Sequence, residues 1–148
     1  MNTDNQYNPI ELSKEYLKKS TLDNQVSIEQ GFNVELYEVS NNLAFIKNFG
    51  NIAVFKNDTT GLLIDTGMGV SSLQVVEKLK EWGISNIEYV IYTHGHVDHV
   101  TGTEYISDAF EGTTKVIAHE NVTKRFDRYK KTICLLYTSD AADDYRGV

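Results

Sequence analysis

The chain has 148 residues, of which 41% are hydrophobic, 24% charged and 11% aromatic, the composition of one ordinary globular domain. Fourteen Lys and Arg against 21 Asp and Glu leave a net charge of -7, the wrong sign for holding nucleic acid by phosphate neutralisation. No apolar run approaches the roughly 18–20 residues that span a bilayer, the polar opening Met1–Ile10 lacks a secretory core, and a single Cys permits no internal disulfide, so a cytoplasmic location is expected.

Residues 1–31 read as a polar extension in which Ile10 to Lys19 forms a short helix, with Leu12, Tyr16 and Leu17 on one side. From Phe32 short apolar runs alternate with turn formers. Phe32–Val39, Leu43–Ile46, Ile52–Phe55 and Gly61–Asp65 are four expected strands of an antiparallel meander. The period changes after Gly69. Leu73, Val76 and Leu79, joined by Val75 and Trp82, predict a helix with one apolar face. Ser71-x-x-Gln74 fits a capping box at its start, and Gly83 sits where it should stop. A buried strand is expected over Ile87–Tyr92, a helix opening near Thr101–Thr103, and a short strand over Lys115–Ala118.

The segment Cys134–Val148 resembles the in-frame translation of a sequencing-library adapter, without mismatch from Cys134 through Asp143. The expected organisation is therefore an extension over 1–31, a partial domain over 32–133 and an artefactual tail over 134–148, with native sequence ending near Thr132.

Chemistry concentrates at one place. Three of the four His lie in Thr93-His94-Gly95-His96-Val97-Asp98-His99, directly after the strand expected over Ile87–Tyr92. Loops leaving buried strands are where open sites are built, and imidazole nitrogen with carboxylate oxygen is a zinc ligand set. His94 and His96, one residue apart, can turn to one side of an extended segment, while Asp98 and His99 can face a second position. One short loop can thus seed two metal positions; the bland alternative is a solvated His-rich loop.

His94-x-His96-x-Asp98-His99 resembles the metal motif of the metallo-β-lactamase fold superfamily. Leu62-Leu63-Ile64-Asp65-Thr66-Gly67, a strand ending in Asp-Thr-Gly, is similar to that family's upstream segment, and Asn51–Phe55 to its early strand. The resemblance implies an α/β fold, an αβ/βα sandwich of which this chain holds the N-terminal half only. It implies two zinc ions, the first on His94 and His96, the second on Asp98 and His99. Asp98 would also face the reacting water as the catalytic carboxylate. Asp65 resembles the carboxylate that supports the ligand loop; on its own it reads as a strand-end Asp capping the turn at Gly67.

The implied activity is zinc-dependent hydrolysis of an ester-type bond (a sulfate ester, thioester or lactone) in a small-molecule substrate. An iron-dependent redox protein and a non-catalytic binding protein are the alternatives. Arg125 and Arg128 follow a segment similar to that of sulfatase-like members, and they either steer an anionic substrate or form a solvated helix face. The family's further ligands lie downstream of this motif. His119, after the strand expected over Lys115–Ala118, does not match them, so the chain as it stands is expected to be inactive.

Overall fold

The computed structural model describes residues 9–20 and 33–136. Helix α1 spans Pro9–Ser20, with Pro at its first position, where a missing N–H costs nothing. Lys14 and Glu11 pair on it at 2.7 Å, and Leu17 is exposed. Phe32, which opens the first expected strand, lies outside the described residues, as does the tail from residue 137.

Six strands form one sheet in chain order: β1 Glu35–Ser40, β2 Leu43–Lys47, β3 Ile52–Asn57, β4 Thr60–Ile64, β5 Asn86–Ile91 and β6 Lys115–Ile117. The first four are the expected antiparallel meander, in registers such as Ala44 opposite Val54 and Val54 opposite Leu63. The last two run parallel, β4 to β5 and β5 to β6. A parallel partner requires a crossover, and α2 (Ser72–Glu81) supplies it between β4 and β5. One sheet face, carrying Ile46, Ile52, Val54, Leu63 and Val90, packs with Val75, Val76 and Leu79 of α2 and with Ile106 and Phe110. The opposite face is also apolar, but Phe45, Phe55, Leu62, Ile64, Ile91 and Ile117 on it are only partly covered.

Two details of α2 correct the sequence expectation. Its buried stripe is Ser72, Val75, Val76 and Leu79, the i, i+3, i+4, i+7 set, so Leu73 is rotated outward and is 81% exposed. Ser71 makes no side-chain cap. Its backbone (φ -102°, ψ 2°) is not the extended conformation of a capping residue, because a 3-10 turn over Gly69–Ser71 already feeds the helix. Its hydroxyl instead faces Asn48 Oδ1 at 3.0 Å and the Met68 carbonyl at 2.9 Å. Gly83, at φ +88°, ends the helix as expected.

Three further helices follow. The last residues of the His motif form α3, the single turn Val97–Val100, which the sequence reading did not anticipate. The helix expected near Thr101–Thr103 is α4, Thr103–Asp108. Finally α5 runs over Asn121–Leu136, passing the expected boundary at 133 and 134 without a break.

Candidate metal centre

The site stands at the C-terminal ends of β4 and β5, the usual place for a crevice beside parallel strands. The ladder continues one step past each strand, with Asp65 N–H donating to Ile91 O at 2.9 Å and Tyr92 N–H donating to Ile117 O at 2.9 Å. Asp65 then leaves the extended region, at φ +63°. That turn sets its carboxylate under the loop leaving β5.

Asp65 is 4% exposed, and a carboxylate so placed must be satisfied internally. It is. Oδ1 accepts the Thr93 N–H at 2.8 Å, and Oδ2 accepts the Thr93 hydroxyl at 2.7 Å. Oδ2 also lies 2.8 Å from His99 Nδ1. A carboxylate only accepts, so a neutral His99 carries its proton on Nδ1 and leaves Nε2 bare for a metal, the carboxylate–histidine arrangement that supports many metal ligands.

Hydroxyl groups hold the same segment from behind. The His99 carbonyl accepts the Thr66 N–H at 2.8 Å and the Thr66 hydroxyl at 3.1 Å. Thr66 Oγ1 lies 3.1 Å from Thr103 Oγ1, which lies 2.6 Å from Tyr92 Oη. Burial raises the Tyr92 phenol above its ordinary value, with the Asp65 charge adding to the effect and the Thr103 hydrogen bond opposing it.

Above this base the imidazoles converge. His94 Nε2 and His96 Nδ1 are 2.8 Å apart, and the His94 ring centroid is 4.2 Å from that of His99. Two nitrogens on one tetrahedral zinc stand about 3.3 Å apart, given bonds of about 2.0–2.1 Å; a small ring rotation separates the present pair by that much. Asp65, His94 and His99 each offer a ligand atom within 4.8 Å of the others. Asp98 Oδ2 lies 3.4 Å from His99 Nε2, so the carboxylate and the bare nitrogen face one space. The donors fit a borderline cation. His96 is held below the ordinary imidazole value by desolvation and by repulsion from Arg125, which favours the neutral ring that a metal requires.

His119 is not brought to this cluster. It is exposed, and its Nδ1 accepts the Asn121 N–H at 3.2 Å at the start of α5. Arg128 is exposed, whereas Arg125 is half-buried: an ideal Cβ on Gly95 would stand 3.4 Å from its Cδ. Its Nε donates to Tyr129 Oη at 2.9 Å. Sequence reasoning passed over Thr93, Thr66, Thr103 and Tyr92. The one available signal was position, since Thr93 directly precedes His94 and Thr66 directly follows Asp65.

The sequence profile of the Metallo-beta-lactamase superfamily matches residues 46–132, more than half of the chain. The chain belongs to that family. Among solved structures it is similar to a Cronobacter sakazakii metallo-β-lactamase with a HARLDQ motif, at 19% identity and a TM-score of 0.58, covering 68% of this chain and 39% of that one. It is also similar to BJP-1, a subclass B3 metallo-β-lactamase of Bradyrhizobium japonicum, at 22% identity and a TM-score of 0.50, covering 60% and 35%. Likeness at this identity speaks for the fold. The chain spans about two fifths of the length of these structures or less. No curated protein sequence matches the chain.

Proposed function

We propose that this chain carries the metal-binding and water-activating segment of a zinc-dependent hydrolase acting on an ester-type bond in a small molecule. His94 Nε2 and His96 Nδ1 hold one ion; His99 Nε2 and Asp98 hold a second. The observation that carries the reading is the convergence of His94 and His96 at 2.8 Å beside a His99 oriented by a buried carboxylate.

When bound, the ions lower the pKa of a coordinated water toward about 7 and polarise the bond under attack. The chain's own residues do the rest. Asp65 keeps the His99 ring in one tautomer and one orientation. Asp98, facing the same space, is placed to receive the proton of the attacking water. Arg125, packed along Gly95, sets a fixed positive charge beside His96 and supports an anionic substrate such as a sulfate ester. Two protein donors per ion leave half of each tetrahedral shell open, so zinc binding by this chain should be weak.

Zinc titration against a chromophoric chelator, with elemental analysis of the dialysed chain for zinc and iron, tests the reading. The expected result is zinc binding that His96→Ala and His99→Ala each weaken at least about tenfold. Equal binding by the wild type and a His94→Ala/His96→Ala double variant would sink it. Iron retained in preference to zinc would move the reading to redox chemistry.

A further inference from the structure

We propose that Thr93 is a positioning residue that sets the tautomer of His94, so that the single buried carboxylate of Asp65 dictates the proton position on two histidines, His99 directly and His94 through the Thr93 hydroxyl. The role it assigns rests on the reading of His94 as a metal ligand; the proton positions themselves follow from the network alone.

Thr93 Oγ1 has one proton to give and two neighbours that could take it: Asp65 Oδ2 at 2.7 Å and His94 Nδ1 at 2.9 Å. A buried carboxylate is the stronger acceptor, and leaving it short of donors is costly. The proton goes to Asp65. Thr93 Oγ1 can then only accept from His94, so Nδ1 of His94 must carry a hydrogen and Nε2 must be bare. The backbone N–H of Thr93, held on Asp65 Oδ1 at 2.8 Å, keeps the hydroxyl from swinging away.

The same constraint reaches His96. With Nε2 of His94 bare, the 2.8 Å contact to His96 is made by a hydrogen on His96 Nδ1. In the metal-free chain His94 and His99 are therefore already in the ligand tautomer, and His96, which Asp65 does not reach, is the ring that must move its proton to bind. An exposed ring does this cheaply, because water can accept the proton on one nitrogen and supply it on the other. His96 is the exposed member of the three.

The test is a long-range 1H–15N correlation on the labelled, metal-free chain at about pH 8, where an ordinary imidazole is neutral. In the wild type His94 and His99 should both show pyrrole-type Nδ1 and pyridine-type Nε2. Thr93→Val should move His94 toward the Nε2–H form while His99 stays as it was, and should weaken zinc binding about 10- to 100-fold. Thr93→Ser, which restores the hydroxyl, should return both readouts. A wild-type His94 protonated on Nε2 overturns the proposal without any variant, as does a His94 tautomer unchanged in Thr93→Val. If the tautomers behave as stated and the chain binds no zinc, the metal reading fails and the role of Thr93 in proton placement stands.

Discussion

Gly50 touches the backbone of Asp98. A Cβ built on Gly50 would stand 1.7 Å from the Asp98 carbonyl oxygen, and Gly50 has φ +77°. The loop between β2 and β3 thus presses on the His94–His99 loop at a point where only hydrogen fits. Gly50→Ala should cost about 2–5 kcal/mol, combining left-handed strain with overpacking, and should weaken zinc binding by shifting Asp98. Gly83→Ala is the control, because Gly83 has φ +88° and nothing within 4 Å of its would-be Cβ. It should cost only about 1–2 kcal/mol and leave zinc binding alone. Urea midpoints and zinc titrations of the two variants check the contrast.

Asp65→Asn keeps the shape of the side chain and changes its chemistry. One carboxylate oxygen becomes an amide that only donates, facing the Thr93 hydroxyl and the His99 N–H. His99 should turn over to its other tautomer, and zinc affinity should fall about 10- to 100-fold. The check is the same chelator competition. An unchanged affinity would show that Asp65 merely caps its own turn.

Tyr92 gives a pH signature. Its phenol is raised in the folded chain, first by burial, above an unfolded value of about 10. The folded state therefore holds this proton more tightly than the unfolded state. The associated stability is fully present below about pH 10 and is lost as pH rises past it. Tyr92→Phe has no such proton, so its urea midpoint should fall less between pH 9 and pH 11 than that of the wild type. Parallel slopes for the two proteins would contradict the assignment.

The partly covered sheet face makes a prediction about the chain on its own. Phe55 is 43% exposed and Ile117 is 49% exposed on that face. Each large side chain left uncovered forgoes roughly 1.5–3 kcal/mol of burial at full value, against a total stability of about 5–15 kcal/mol for a domain. The chain should bind a hydrophobic dye at this face while keeping a cooperative urea transition, and a Phe55→Ser/Ile117→Ser variant should bind less of it. Dye binding unchanged in that double variant would refute this.

Much of the architecture was legible because it is written locally. The β1–β4 meander announces itself in short apolar runs separated by Asn, Gly and Asp, and each antiparallel neighbour is one turn away in the chain. Gly83 marks a helix end for a reason confined to its own φ. The candidate site was legible for the same cause, since His94, His96, Asp98 and His99 lie within six residues and their side-chain chemistry is visible without any partner. Where a local signal misled, a neighbour had overruled it. Ser71 reads as a helix cap, but its hydroxyl is engaged with Asn48, 23 residues away. Leu73 reads as core, but it lies to one side of the Ser72, Val75, Val76 and Leu79 stripe that packs on the sheet.

Determined by sequence alone, then, are the family and the antiparallel order of the first four strands. Left to the tertiary structure is the way Asp65, Thr93 and the histidines come together. Asp65 meets Thr93 across 28 residues and His99 across 34, and both meetings depend on β4 and β5 lying parallel with Ile64 opposite Ile91. Parallel register has no local signature, because it is set by how a crossover helix packs its buried stripe onto the sheet. A hydrogen-bond network that needs positions correct to a few tenths of an ångström comes into existence only when that packing is complete.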